Sequence, residues 1–192
     1  NLYNPLNKEI TLDSLNKILN RYNVNYNINN ILLYYRAFVH KSYIKYPKLI
    51  NECSKIKLTQ CPANCLELKS KSNERLEFLG DGVLELITKY YLYKRFQKAD
   101  EGFMTEKKIA IVNNEHIGKL AYELKLHEWL IISKHSEEKN IRKNYKKLGC
   151  LFEAFIGAIF LDVNKININD ENNWFKDVFT TGPGFQMAQI FV

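Results

Sequence analysis

The sequence predicts an all-α fold built around one core. Its 192 residues, 46% of them apolar, are enough for a single domain with a small appendage. Apolar side chains recur every three or four residues through most of the chain, which is the period of a helix that packs one face. Residues 148–162 are apolar on nearly every side, so they are predicted to form a buried helix.

The N-terminal third is predicted to hold two helices and a long loop. Residues 11–19 carry leucines at helical spacing, and Thr11 is a plausible N-cap. A second helix is predicted over residues 31–46, because Pro47 disfavours its continuation. Residues 47–72 contain two prolines and three cysteines without periodicity, so we predict an irregular insertion loop there.

The middle of the chain begins with the longest periodic segment, which predicts a helix over residues 73–96. Residues 100–102, Asp-Glu-Gly, are predicted to form a turn, and Thr105 is predicted to cap the next helix. The lysine-rich residues 134–147 are predicted to be a loop that leads into the buried helix.

Charge and cysteine usage narrow the classes of partner. The formal net charge is +7, which permits binding to nucleic acid or to an anionic membrane. No apolar run approaches the roughly 20 residues of a membrane helix, and the N-terminus lacks a signal pattern. We therefore expect an intracellular protein, cytoplasmic or nuclear, that does not insert in a membrane.

The spacing of Cys53, Cys61 and Cys65 does not decide the role of these cysteines. A zinc site, a local disulfide and buried thiols are all compatible with it.

Three acids in the long predicted helix are the first candidates for chemistry. Glu74, Glu77 and Asp81 lie at positions i, i+3 and i+7, so one helix face carries all three carboxylates. Grouped acids repel one another, and hard oxygen ligands favour Mg²⁺ or Mn²⁺. The alternative is an ordinary acidic face in solvent. Gly80 and Gly82 weigh against it, because helix glycines are costly unless another helix or a phosphate backbone approaches closely.

A fourth acid, Glu153, lies in the apolar segment 148–162. A carboxylate among apolar residues is costly unless it is paired or binds a metal. The alternative to a metal is an ion pair with Arg75, Lys107 or Lys108. Two acid-bearing helices that meet would together form one site.

The nine residues from Asn73 to Asp81, NERLEFLGD, resemble the signature of the ribonuclease III family. The resemblance covers about residues 11–163, in the family's order. Its further segments are residues 37–43, 100–102, 111–115 and 149–162.

The resemblance implies a ribonuclease III endonuclease domain over residues 1–192, a helical bundle that forms a homodimer. Its core is expected at about residues 11–163, and residues 164–192 are expected to be an extension that stops before any double-stranded-RNA-binding domain. The implied activity is hydrolysis of double-stranded RNA with Mg²⁺, or Mn²⁺ as a substitute. The expected products carry 5′-phosphate and 3′-hydroxyl ends with short 3′ overhangs.

Carried over by motif position, the resemblance implies that Glu77, Asp81 and Glu153 are metal ligands. Asp81 and Glu153 are in addition the expected catalytic residues. Phosphodiester hydrolysis needs an activated water and a stabilised leaving oxygen, and divalent ions held by carboxylates supply both.

Four further residues receive expected roles from the resemblance. Glu74 is expected near the site and the dimer interface, and Phe78 is expected to insert into the partner subunit. Lys107 and Lys108 are expected to approach the RNA backbone, with a solvated face as the alternative.

Cys150 departs from the family pattern, which usually has an aspartate at this ligand position. A thiol is a poor Mg²⁺ ligand, since it is soft and mostly protonated at neutral pH. The departure predicts either an enzyme with weakened metal affinity or, as the alternative function, a noncatalytic RNA-binding or structural member of the same fold. The intact Glu74, Glu77, Asp81 and Glu153 favour the enzyme.

Overall fold

The computed structural model of the chain describes residues 2–45, 60–164 and 183–192. Within those ranges the chain is helical, which confirms the all-α prediction, and β-structure is limited to two isolated bridges. None of the helices in these ranges is long and apolar enough to cross a bilayer. The α-helices are α1 Leu12–Asn20, α2 Ile31–Ala37, α3 Glu74–Arg95, α4 Glu101–Val112, α5 Asn114–Glu123, α6 Lys134–Glu138, α7 Tyr145–Val163 and α8 Pro183–Phe191. Short 3₁₀ helices span Lys41–Tyr43, Leu126–Trp129 and Ile141–Lys143.

Helix α7 lies at the centre of the fold, as its all-round apolar sequence predicted. It contacts α2, α3, α5 and α8, and most of its side chains are buried. Phe155 of α7 packs against Tyr34, Phe38 and Phe191, so helices at both ends of the chain meet on it. Helix α4 is the opposite case, because it packs on α3 and α5 without burying any residue.

Glycines let α3 and α7 touch backbone to backbone. A Cβ added to Gly80 would lie 1.7 Å from the carbonyl oxygen of Glu153, and one added to Gly157 would lie 2.4 Å from that of Leu76. The close approach predicted from the two signature glycines is therefore confirmed for Gly80, whose partner is α7. Gly82 faces open space, with nothing within 4 Å of an added Cβ.

The predicted second helix, residues 31–46, is wrong in length, because α2 ends at Ala37. The backbone then turns to pair with a distant segment: the amide of His40 donates to the carbonyl of Ile131 at 3.0 Å, and Val39 forms a bridge with Ile131. A tertiary hydrogen bond thus overrides a helical pattern at this point.

The predicted turn at residues 100–102 and the predicted cap at Thr105 are also wrong. Helix α4 begins at Glu101, and Asp100 caps it by accepting a hydrogen bond from the amide of Phe103 at 2.8 Å. An aspartate one turn earlier satisfies the helix N-terminus, so Thr105 instead donates to the carboxylate of Glu101. The predicted loop over residues 134–147 contains α6 and a 3₁₀ helix.

The described part of the predicted insertion loop, residues 60–72, contains no helix, and Lys69 in it forms a bridge with Ile44. Cys61 and Cys65 carry free thiols, and the Cys61 thiol lies 3.5 Å from the carbonyl oxygens of Cys65 and Leu66. Cys53 lies outside the described residues.

Candidate metal centre

A cleft of about 480 Å³ opens where the N-terminal halves of α3 and α7 meet the segment after α2. The four acids singled out in the sequence all line it, although they come from two helices some 70 residues apart in the chain. Three of them come from α3 and one from α7: Glu74, Glu77, Asp81 and Glu153.

Asn73 fixes the start of α3 against the segment that follows α2. Its amide donates to the carbonyl of Val39 at 2.8 Å, and its side-chain nitrogen donates to the carbonyl of Ala37 at 3.0 Å. The asparagine is buried, so these bonds replace its lost hydration. From this anchor, helical geometry directs the acids of α3 towards α7.

Glu153 is the buried acid of the cleft. It is only 6% exposed, and no side chain in the described ranges pairs with its carboxylate. Burial, then the charge of Asp81 and then that of Glu77, raise the pKa of Glu153 to about 8. A buried carboxylate facing other carboxylates is unfavourable without a cation.

In the described residues, Glu153 forms no ion pair with the three cations that the sequence offered as partners. Lys108 binds Glu85 with its ammonium 3.0 Å from the carboxylate oxygen. Lys107 lies over the ring of Phe103, 5.2 Å from its centroid. Arg75 is an exposed residue whose charge acts on Arg36.

Cys150 completes a compact group of potential ligands. One ligand atom each from Glu77, Cys150 and Glu153 lies within 4.8 Å of the other two. Burial and a hydrogen bond to Glu77 raise the pKa of the Cys150 thiol to about 12. Asp81 lies one turn beyond Glu77, at the exposed rim of the cleft, where its charge still acts on Glu153.

Glu74 lies in the same cleft but is already paired. Its carboxylate accepts from the ammonium of Lys41 at 3.2 Å and from the hydroxyl of Ser72 at 3.0 Å. The Ser72 hydrogen bond, followed by that from Lys41, lowers the pKa of Glu74. This acid therefore differs from Glu153, whose charge is offset by no cation among the described residues.

Three basic side chains also line the cleft, and none of them was among the site residues predicted from the sequence. They are His40, Lys41 and Lys147. Burial, then the charges of Lys147 and Lys41, lower the pKa of His40. The signal that could have identified His40 and Lys41 was their place in residues 37–43, a segment already matched to the family.

The remaining predicted residues lie at or beyond the rim. Phe78 lines the cleft with 84% of its surface exposed. Lys107 and Lys108 lie on α4, outside the residues that line this cleft. Their contact with RNA remains a prediction.

The donor set of the cleft suits a divalent cation. Two carboxylates and a thiol surround one position, and the carboxylate of Asp81 acts on it from the rim. Glu153, the most buried acid of the cleft, has no cationic partner among the described residues. A bound cation would neutralise the repulsion among these acids. Carboxylate oxygens are the ligands that hard divalent ions prefer.

Comparison with known proteins identifies what this arrangement resembles. The sequence profile of the family described as "Ribonuclease III domain" matches residues 74–164, which include both acid-bearing helices. A probable ribonuclease 3 of Acanthamoeba polyphaga mimivirus is 32% identical over 165 residues, covering 84% of this chain and 30% of the relative. Ribonuclease 3 of Enterococcus faecalis is 37% identical over 142 residues, 74% of this chain and 53% of the relative.

The fold agrees with the sequence match. The nuclease domain of ribonuclease III from Campylobacter jejuni superimposes with a TM-score of 0.65 at 26% identity, over 94% of this chain and 92% of that domain. The description of that structure refers to a region involved in dimer formation. The chain spans 30% and 53% of the length of the two relatives above, so it corresponds to part of such proteins.

Proposed function

We propose that this chain, which belongs to the ribonuclease III family, is an endoribonuclease domain that hydrolyses double-stranded RNA with divalent metal ions bound in its acidic cleft. The observation that carries the proposal is the buried carboxylate of Glu153, which faces Glu77 and Asp81 and has no partner among the described side chains. Residues 1–192 would form the catalytic domain, acting inside the cell.

Glu77, Asp81 and Glu153 would hold Mg²⁺, or Mn²⁺ in its place. A divalent cation supplies a more acidic water and neutralises charge on the leaving oxygen. Glu153 is buried in the packing of α7, which limits the freedom of its side chain. Asp81 is exposed at the rim, which supports a role for it in contacting both the cation and the scissile phosphate.

The basic residues that line the cleft give RNA a place to bind. Lys147 is exposed in the first turn of α7, one turn before Cys150, and can contact a phosphate at the cleft. Lys107 and Lys108 are proposed to extend this contact along the duplex from α4. Double-stranded RNA would be read by its shape, phosphates and 2′-hydroxyls, so binding should weaken as salt rises.

The proposal is tested by incubating the protein with long double-stranded RNA, single-stranded RNA and double-stranded DNA of one sequence. We expect cleavage of the RNA duplex alone with Mg²⁺ or Mn²⁺, none in chelator, and products with 5′-phosphate ends and short 3′ overhangs. Inertness in both metals across a range of salt, together with retained binding to the RNA duplex, would support the noncatalytic alternative that Cys150 favours.

Replacing Cys150 by aspartate is expected to strengthen Mg²⁺-dependent cleavage. An oxygen ligand replaces a soft one beside Glu77 and Glu153, so the Mg²⁺ concentration for half-maximal activity should fall by about tenfold. Cys150→Ser, which adds no charge, is the matched control and should give no such gain. An unchanged Mg²⁺ dependence in Cys150→Asp would show that this position does not contact the cation.

We also propose that two copies pair through the exposed face of α3, with Phe78 inserting into the partner. Burying an aromatic side chain contributes about 1.5–3 kcal/mol to the free energy of association. A two-fold interface buries Phe78 of both copies, so this contribution occurs twice. Phe78→Ala should therefore weaken dimerisation by roughly 10²–10⁴-fold. Sedimentation velocity at several concentrations measures this.

Leu32→Ala is the control for the dimer prediction. Leu32 is also a strongly exposed apolar residue, 65% accessible, but it lies on α2 and does not line the cleft. Its removal should leave the dimer intact. Equal dimerisation of the wild type and Phe78→Ala would reject the proposed interface.

A further inference from the structure

We propose that the cleft is also a binding site for zinc and related thiophilic ions, with the sulfur of Cys150 as a direct ligand alongside Glu77 and Glu153. The three side chains form the only group of three or more metal-ligating residues that the described ranges bring this close together. Nothing in the proposed cleavage reaction uses the thiol.

The geometry supports three protein ligands for one ion. Cys150 and Glu153 lie three residues apart on one face of α7, and Glu77 faces them from α3. Their ligand atoms lie within 4.8 Å of one another. A tetrahedral zinc site with ordinary bond lengths needs ligand atoms about 3.5 Å apart, a change within reach of side-chain rotation.

The surroundings provide the second reason for a ligand here. Glu153 lines the cleft with only 6% of its surface exposed. Its carboxylate has no partner among the described side chains. Asn114 also lines the cleft, and its side-chain nitrogen donates to the sulfur of Cys150 at 3.9 Å. The cleft leaves a further position open to water, as zinc sites with three protein ligands do.

Ligand chemistry selects the class of ion. The site offers two carboxylate ligands and one sulfur ligand. Mg²⁺ binds sulfur poorly, whereas Zn²⁺ and Cd²⁺ form strong bonds to it. On binding, the thiol proton passes to solvent and the sulfur coordinates as thiolate. Zinc would then occupy the position assigned to Mg²⁺. Zinc should therefore inhibit RNA cleavage, a consequence that rests on the proposed function.

Binding is tested without RNA, so that its outcome is independent of nuclease activity. Cd²⁺ is titrated into the whole chain, and the ultraviolet charge-transfer absorption of the cadmium–thiolate bond is recorded. Zn²⁺ affinity is measured in parallel by competition with a chromophoric chelator. Cys150→Ser is compared with Cys61→Ser, a matched control that removes a thiol from the segment before α3.

We expect Cys150→Ser to lose the absorption of the tightest site and to bind Zn²⁺ at least about 100-fold more weakly, the upper end of what an outer-shell change costs. Cys61→Ser should behave like the wild type. Absence of the band in the wild type, its persistence in Cys150→Ser, or its loss in Cys61→Ser would overturn the proposal.

A measurement on the wild type decides the matter if the serine variant does not fold. Alkylation of each cysteine by iodoacetamide is mapped by mass spectrometry with and without metal. Zn²⁺ should protect Cys150, and the same concentration of Mg²⁺ should not. Alkylation of Cys150 at an equal rate in zinc and in magnesium would reject coordination by its sulfur.

Discussion

Replacing Glu153 with glutamine is expected to abolish metal-dependent RNA cleavage, with a loss of at least about 10²–10³-fold in single-turnover rate. The amide keeps the shape of the side chain but removes the charge that faces Glu77 and Asp81. Glu128→Gln is the activity control, since Glu128 lies outside the cleft and pairs with Lys8. A cleavage rate in Glu153→Gln close to that of the wild type would remove Glu153 from the mechanism.

The same substitution is expected to stabilise the metal-free protein. A carboxyl whose folded pKa is raised from 4.5 to about 8 loses stability as pH rises between those values, because the unfolded chain ionises first. At neutral pH the cost is about 1–3 kcal/mol after allowance for solvent screening. The melting temperature of Glu153→Gln in chelator should therefore exceed that of the wild type by several degrees.

Magnesium should reverse this order. Ions that bind only the folded state raise its melting temperature, so Mg²⁺ should stabilise the wild type and leave Glu153→Gln nearly unchanged. Scanning calorimetry at pH 5 and pH 8 provides the check, since the difference in chelator should be small at the lower pH. A variant that melts below the wild type in chelator at pH 8 would contradict the account of Glu153 as an uncompensated buried charge.

Gly80→Ala is expected to have the largest effect on stability. An added Cβ would meet the backbone of Glu153 at 1.7 Å and that of Gly157 at 2.8 Å, so α3 and α7 must separate. Overpacking against backbone should cost about 3 kcal/mol or more, which lowers the melting temperature by roughly 6–12 °C. The separation moves Glu77 and Asp81 away from Glu153, so cleavage should fall as well.

Gly82→Ala is the matched control two residues along the same helix. An added Cβ there meets nothing within 4 Å. Alanine is a better helix former by about 0.5–1 kcal/mol, so the melting temperature should rise slightly. If thermal unfolding shows the two alanine variants to be equally stable, α3 and α7 do not touch at Gly80.

The central helices and the acids of the site could be predicted from sequence because their signals are local. The period of apolar residues in 73–96 and 148–162 identified α3 and α7, and the spacing of Glu77 and Asp81 placed them on one helix face. The position of Glu153 in an apolar helix predicted a buried acid that needs a partner. These inferences depended on one helix at a time.

What the sequence did not reveal depends on contacts between distant segments. The end of α2 at Ala37 is set by pairing with Ile131, far along the chain. His40 and Lys147 come together in one cleft only once α7 packs beside the segment after α2. The two signature glycines look alike in sequence, yet only Gly80 touches another helix in the described structure.

The most direct test of the metal centre is calorimetric titration of Mn²⁺ into the wild type, Glu153→Gln and Glu74→Gln. Glu74 shares the cleft but is paired with Lys41 and Ser72. The Glu74→Gln variant therefore shows whether Mn²⁺ needs the carboxylate of Glu153 itself or only a negatively charged cleft. We predict that Glu153→Gln loses Mn²⁺ binding while Glu74→Gln retains it within about tenfold, less than a lost ligand costs. Equal Mn²⁺ affinity in all three proteins would contradict a metal centre built jointly by α3 and α7.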